Sequence, residues 1–260
     1  MSEKKSGSGS ENRIKSVENV FTIIESLCDQ GWCGVSELAR TLNIPKSTAH
    51  VYLTSLRDAG YVVKESDEYH LSLRFLQLGG RIRHTRSVYQ AARPEVDELA
   101  RSTGEVGTIG YEEDDRRVLV YRSEPAEGVS DNAPTGEFTR MHWTALGKVL
   151  LAQRPDDEVR GFVDRYGLPS ATDNTITGID SLLEELDTTR EQGYSVEDEE
   201  RVKGAKSIAI AINGGGPGPG KSGISIAGPK HRFTPERVEN ELLPELRNAA
   251  NVIRLKYKHY

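Results

Sequence analysis

The sequence predicts an α+β fold in two parts: a small three-helix module with a two-stranded wing, and a larger domain of antiparallel strands covered by helices, with a helix joining them. Three observations predict it. Apolar residues recur at helical spacing through the first sixty residues and then give way to a short hairpin. From about residue 104 they alternate with polar residues, as in half-buried strands. The charge divides near the same place: residues 1–90 carry 12 basic and 10 acidic side chains, and the remaining 170 carry 22 and 30.

A chain of 260 residues makes one large domain or two ordinary ones. Hydrophobic residues at 36% and charged residues at 28% exclude general disorder. No apolar run approaches the ~18 residues of a membrane helix. The opening MSEKKSGSGSENR lacks the apolar core of a secretion signal and reads as a frayed tail. Cys28 and Cys33 cannot make a disulfide framework, and without histidine partners they make a poor zinc site, so a reduced, cytoplasmic setting is expected. A net charge of −6 argues against nucleic acid as a partner for the chain as a whole, but the near-neutral first part does not.

Val17, Val20, Phe21, Ile24, Leu27 and Cys28 fall on one stripe of a first helix, which Asp29-Gln30-Gly31 stops. Val35, Leu38, Ala39 and Leu42 carry a short second helix. Ile44 precedes a proline and is pushed out of the helical region, so a third helix starts near Pro45 and buries Ala49, Tyr52, Leu53 and Leu56 before Gly60. Tyr61 to Lys64 and Tyr69 to Ser72 flank a polar turn and make a wing. The plan over residues 10–75 is a winged helix-turn-helix. The solvent side of its third helix offers Lys46, Ser47, Thr48, His50, Val51 and Thr54, small donors and one cation at a helix start, where free N–H groups favour phosphate. A protein-binding adaptor can present such a polar face too, and the acidic wing tip (Glu65, Asp67, Glu68) opposes phosphate.

Residues 76–103 read as a linker helix whose arginines, Arg81, Arg83 and Arg86, form a solvated face. Beyond it, strands are expected at Val106 to Gly110 and Arg117 to Tyr121, around a turn at Asp114-Asp115, followed by a long loop over 124–140. A helix over 141–153 with Leu146, Val149 and Leu150 inward precedes helices at about 156–166 and 180–192. Further strands are expected at about 194–197, 206–212 and 223–227. The closing helix starts at the N-cap Thr234 and runs to near Lys258, kinked at Pro244.

The run VSELARTLNIPKSTAHVYLTSLRDAGYVV resembles the N-terminal domain of the IclR family of transcriptional regulators, with P-K-S-T at Pro45 to Thr48 and G-Y at Gly60-Tyr61. Val51 stands where that family often has arginine, so hydrogen-bonded guanine readout from this position is lost, and His50, Thr54 or a thymine-methyl contact by Val51 takes over. The second part resembles the same family's GAF-like effector-binding domain, expected here over 104–258. H-x-[TS]-A-x-G-K-x-x-L-A matches His142 to Ala152, and G-Y-x-x-[DE]-[DE]-E-E matches Gly193 to Glu200. G-x-[RK]-C-I-A matches Gly204 to Ala209 with Ser207 in place of Cys, and S-x-[SA]-G-P matches Ser225 to Pro229.

The resemblance implies operator DNA contacts at Lys46, Ser47, Thr48, His50 and Thr54. It implies a small-molecule effector, from carbon catabolism (a sugar, sugar acid or organic acid), held by Thr139, Met141, Ala145, Leu146, Glu197, Ser207, Ser225 and Ala227. It also implies a homodimer, or a dimer of dimers, with contacts through the first domain and linker. The carboxylate of Glu197 favours a polyol, sugar or sugar acid over a multiply charged anion. The acid-rich composition, with 22 Arg against 12 Lys, suits an archaeal, salt-rich cytoplasm.

One motif points elsewhere. Gly215 to Ser222 satisfies the P-loop expression of a nucleotide hydrolase. Pro217 and Pro219 lack the N–H groups that cradle phosphates, and residues 223–227 read as a strand where a P-loop needs a helix, so a hairpin loop is expected instead. No other catalytic motif is present. His142, beside Trp143, reads as structural or pocket lining, and the acids Glu197 to Glu200 read as a solvated loop. No metal, cofactor or catalytic residue is expected.

Overall fold

A computed structural model describes residues 14–125, 133–212 and 221–257. The N-terminal tail, residues 126–132 of the predicted long loop, residues 213–220 of the glycine-rich segment and the last three residues, Lys258 included, lie outside the described residues. The chain divides into two compact units, Met1–Ile82 and Arg83–Tyr260.

In the first unit, α1 (Lys15–Gln30) ends at Gly31, whose φ of 76° is a glycine conformation. A two-residue strand β1 (Cys33–Gly34) leads into α2 (Val35–Thr41). Asn43, with a φ of 51°, turns the chain, and extended Pro45 precedes α3 (Lys46–Asp58). The wing is β2 (Val62–Glu65) and β3 (Glu68–Leu71), paired Val63 to His70. β1 adds to β3 through Cys33 and Tyr69, so the wing has three strands where the sequence showed two. Ile23, Leu27, Leu38, Leu53, Val62 and Tyr69 form the core.

The predicted stripe on α1 is corrected. Only Leu27 of it is fully buried; Ile23 joins it inside, Val20 and Ile24 are half-buried, and Val17, Phe21 and Cys28 are exposed. The apolar arc of α1 is wider than this small core can cover, so one edge of it stays outside.

The linker is also corrected. The helix expected over 76–103 is two: α4 (Arg74–His84), which spans the division between units, and α5 (Ser87–Thr103). α5 buries Val88, Ala92, Val96 and Leu99 in the core of the second unit, which makes it a core element and not a linker. Arg83 lies over the Tyr89 ring, and Arg86 lies over Tyr111 and reaches Glu113, while Arg81 stays solvated.

The second unit is built on a six-stranded antiparallel sheet: β4 (Val106–Glu113), β5 (Arg116–Ser123), β6 (Phe138–Arg140), β7 (Ser195–Asp198), β8 (Ala205–Ile212) and β9 (Ser222–Pro229), in the order β6-β5-β4-β9-β8-β7. β6 lies inside the stretch expected to be loop; three residues are too few to show a period of two. The two faces differ in residue size. Ile208, Ile210 and Ile212 of β8, with Ile224 and Ile226 of β9, pack against α5 and the final helix α10 (Leu243–Tyr257). The opposite face carries Ser207, Ala209 and Ala211, and across from them Gly223, Ser225 and Ala227. Burying each isoleucine contributes about 1.5–3 kcal/mol. The small face leaves room for a helix and a cavity.

That helix is α6 (Ala145–Leu151), which packs with α7 (Asp156–Tyr166) and α8 (Ile179–Gln192). The helix expected over 141–153 is split: Met141–Trp143 is a 3-10 turn and Thr144 is extended, its Oγ1 accepting from the Gly147 N–H at 3.0 Å. Gly147 has a second reason to be glycine, since a Cβ there would overlap the Met141 carbonyl. Gly147→Ala is expected to cost about 1–3 kcal/mol or more, read as a lower midpoint in urea with the slope unchanged.

Thr234 caps the C-terminal segment as expected. Pro235–Arg237 (α9) is followed by a π-helical turn at Val238–Leu242 and then α10, in whose first turn Pro244 sits. The wide turn accommodates the proline that the sequence read as a kink.

Candidate functional site

In the first unit the exposed face of α3 starts with Lys46 and Ser47 and continues through His50 and Val51, while Thr48 and Thr54 are half-buried beside it. Ala49, Leu53 and Leu56 fix the opposite face in the core, and Asn19 of α1 donates to the Tyr52 hydroxyl at 3.1 Å. Val51 is 62% exposed, an apolar side chain held in solvent at the middle of a polar face. Lys64 of the wing shares a shallow groove with His50 and was not among the predicted residues. Its side chain is 3.9 Å from Asp67, whose acid the sequence read only as repulsive.

The second unit holds a half-open cavity of about 310 Å³ between the small face of the sheet, the start of α6 and the β7–β8 turn. That is room for a small metabolite. Of the eight residues named for an effector, Leu146, Glu197, Ser207, Ser225 and Ala227 line it. Thr139, Met141 and Ala145 do not, which corrects three of the eight residues. The 3-10 turn rotates Met141 and Ala145 into the core between α6 and α8, and the Ala145 carbonyl accepts from Ser195. Thr139 is buried in β6 opposite Arg117, and its hydroxyl has no partner.

The lining also contains groups that sequence reasoning missed. Thr108 of β4 bonds Ser225 across the strand pair, Oγ to Oγ, at 2.6 Å. Among the described residues, five cationic side chains, Arg117, Arg122, Arg201, Lys203 and Lys206, line the wall against one carboxylate, Glu197. Glu137 holds two of them, accepting from Arg117 at 3.0 Å and from Arg201 at 2.7 Å. A signal for Thr108 was available: it stands two residues from Val106 and from Gly110, and so shares the small face with them. The cations carried none, because their convergence depends on how β5 and the β7–β8 turn meet.

The acids at 197–200 are not a solvated loop. β7 places Glu197 inward, and Glu200 is buried as well, while Asp198 pairs with Lys206 and Lys230, and Glu199 with Lys230. Glu197 accepts from the backbone N–H of Glu200 at 3.0 Å and of Arg201 at 3.3 Å, and from the Ser207 hydroxyl at 2.9 Å. Burial pushes its carboxyl up to about 7, against these donors and with help from the like charge of Glu200. Glu200 is itself raised by burial, opposed by Lys148, whose ammonium lies 2.6 Å from it and 2.8 Å from Glu185.

His142 is structural: its Nε2 donates to the Pro169 carbonyl at 3.1 Å, and burial holds the ring below its ordinary pKa, hence neutral. The P-loop reading needs a helix after Lys221, and Ser222 instead opens β9; the rest of that loop, with Pro217 and Pro219, lies outside the described residues. Among the described residues, no cluster suited to a metal ion is found, and no helix is long and apolar enough to cross a membrane.

Comparison with known proteins gives matches along almost the whole chain. The family model described as "IclR helix-turn-helix domain" matches residues 16–66, and the one described as "Bacterial transcriptional regulator IclR C-terminal" matches residues 81–255. The HTH-type transcriptional regulator KdgR of Escherichia coli K12 is 32% identical over 92% of this chain and 91% of its own. The "Probable HTH-type transcriptional regulator ArcR" of Halobacterium salinarum is 29% identical over 98% of both. Among solved structures, the Thermotoga maritima IclR superposes with a TM-score of 0.81 at 25% identity, covering 94% of this chain and 99% of that one. The inducer-binding domain of the Acinetobacter PobR transcription factor, in complex with 3-hydroxybenzoic acid, gives 0.58 at 27% identity over 64% of this chain and 96% of that one.

Proposed function

The chain belongs to the IclR family of transcriptional regulators, and from that membership we propose that it reads operator DNA with α3 and answers to a small metabolite bound in the cavity of its GAF-like domain. The winged helix-turn-helix takes residues 10–75, and the effector domain expected over 104–258 takes in α5 as well, which leaves α4 between them. The observation that carries the reading is the face of α3, where Lys46, Ser47 and His50 stand exposed at the start of a helix whose other side is locked in the core. Thr48 and Thr54 complete the DNA-contacting set, with Lys46 and the free N–H groups on phosphate and His50, Val51 and Thr54 toward base edges.

The working form is a homodimer that sets two recognition helices about 34 Å apart, in successive major grooves of a pseudo-palindromic operator. Its support is the apolar side chains that the first unit leaves exposed: Ile14, Val17 and Phe21 before and on α1, and Leu73, Leu76 and Ile82 before and on α4, each about half exposed or more. A second copy covers them by two-fold symmetry. The effector domains pair such dimers into tetramers.

Leu146, Glu197, Ser207, Ser225 and Ala227 hold the effector, and binding in one state of the dimer better than the other alters operator affinity. Five lining cations narrow the expected chemistry, from the polyol, sugar or sugar acid that Glu197 suggested, to a sugar acid or other organic acid of carbon catabolism. The setting is cytoplasmic, and the halobacterial relative fits an archaeal, salt-adapted source.

The test is operator binding by fluorescence anisotropy on the chain's own upstream DNA, with and without carboxylates that raise its thermal midpoint. Ser207→Leu fills the cavity and is expected to abolish the effector response while leaving operator affinity within about twofold. Loss of both together would assign Ser207 to folding instead.

A further inference from the structure

We propose that the cavity takes up a carboxylate effector together with one proton, which Glu197 holds as a carboxylic acid and donates, as a hydrogen bond, to the bound anion. The inference rests on the reading of this cavity as the effector site and adds how that site is regulated.

The geometry poses a conflict of charge. Among the described residues the wall carries five cations, whose acidic partners stand outside the lining, and one acid: Glu197, 5% exposed, on the same small face as Ser207 and Ser225. All three of its partners are neutral donors, two backbone N–H groups and one hydroxyl, and among the described residues no basic side chain lies within ion-pair distance of it. The charged groups around it are engaged elsewhere. On the β7–β8 turn, Glu200 is tied to Lys148 of α6, and through it to Glu185 of α8, while Arg201 is on Glu137 and Lys203 on Asp173. On β8, Lys206 is on Asp198, and on β5, Arg117 is on Glu137 and Arg122 on Glu124.

An ionised Glu197 beside a bound carboxylate would place two like charges side by side, one of them on a side chain already shut off from water, and such pairs titrate so that one member keeps a proton. Glu197 is already near the point of protonation in the free protein, held at about 7 by burial, whereas a dissolved carboxylate is far below it. The proton therefore comes from solvent onto Glu197, the ligand enters as its anion, and the new O–H donates to a ligand oxygen. On release the proton returns to water. Apart from that O–H, no covalent bond is made or broken.

A regulator built this way reads acid and metabolite together. Each carboxylate in a panel (gluconate, lactate, pyruvate, 4-hydroxybenzoate) is titrated calorimetrically into the full-length protein in two buffers of different ionisation heat. Its neutral alcohol or amide serves as comparator, over about pH 6 to about pH 8.5. Wild type is expected to take up close to one proton per carboxylate bound near about pH 8, with affinity falling about tenfold per pH unit above about pH 7. Glu197→Gln keeps the hydrogen-bonding shape, and its uptake and pH slope are expected to vanish. A neutral comparator that binds wild type shows neither, a control that stands even if the variant folds poorly.

Carboxylates that bind with no proton uptake, or with uptake unchanged in Glu197→Gln, overturn the proposal and leave the effector site standing. Binding of neutral compounds alone overturns it as well. If no compound binds and operator affinity answers to none, the effector reading itself fails, and the proposal with it.

Discussion

Replacing Lys46 and Thr48 together by alanine is expected to lower operator affinity about a hundredfold while leaving the thermal midpoint nearly unchanged. Lys46 is exposed and Thr48 half-buried at the first turn of α3, and neither belongs to the first unit's core. A hydrogen bond to a charged group contributes about 1.5–3 kcal/mol, and in a dimer each loss occurs twice, so about 3 kcal/mol is a conservative sum. The low charge of the reading head sharpens the expectation. With 12 basic against 10 acidic side chains over residues 1–90, this head has few phosphate contacts to spare. The slope of log affinity against log salt is therefore shallow, and losing Lys46 from both heads should lower it by about two. Val51→Arg is a useful companion, because it restores a guanine reader and should change which operator is preferred more than how tightly DNA is held. Unchanged affinity together with an unchanged salt slope in the double variant would remove α3 from the interface and favour a protein-binding role for the winged unit.

The legible parts of this fold are those whose signal is local and long enough to repeat. α7 and α8 fall almost where periodicity put them, as do the longer strands β4, β5, β8 and β9, in which alternation has room to recur. The small face of the sheet, which makes the cavity, can be read straight from Ser207-Ala209-Ala211 and Gly223-Ser225-Ala227. Two- and three-residue strands such as β1 and β6 carry no period and stay hidden. α5 has the composition of a linker helix until the sheet it covers is known, since Ala91, Ala92 and Ala100 are silent about burial. The site divides the same way. Glu197 and the two serines lie on strands whose facing follows from parity, and Leu146 on a helix whose facing follows from its period, whereas Met141 and Ala145 depended on a 3-10 turn that no pattern announces. The acids at 197–200 were misread because their partners are distant in sequence: Lys148 is 52 residues from Glu200.

That pair yields the largest stability effect expected here. Lys148 is 1% exposed, and its ammonium joins Glu200 of the β7–β8 turn to Glu185 of α8. Removing one member of a buried pair leaves the other charge without compensation, so Lys148→Ala is expected to cost about 3–5 kcal/mol, measured by urea denaturation near neutral pH. The pH dependence identifies the cause. Burial already raises the Glu200 carboxyl, with Lys148 pulling it back down, so without Lys148 it rises further. A carboxyl whose folded pKa lies above its unfolded value binds more protons in the folded state, and stability then falls as pH rises from the unfolded value through the folded one. The deficit of Lys148→Ala relative to wild type should therefore shrink toward about pH 5 and grow toward neutrality. Adding Glu200→Gln should recover much of the loss, because a neutral amide can be buried with its backbone partners; the half-exposed Glu185 is left to water. The consequence reaches the cavity. The backbone N–H of Glu200 donates to Glu197, and Thr175 donates to the Glu200 carbonyl at 2.6 Å, so the ammonium of Lys148 helps hold the turn that holds the pocket acid. Lys148→Ala should thus weaken effector binding under conditions where the chain is still folded, and Glu200→Gln on that background should restore stability ahead of affinity. A cost under about 1 kcal/mol, or a deficit that does not change with pH, would mean that water reaches the pair and that Thr172 and Thr175, both donating to the Glu200 carbonyl, hold the turn without it.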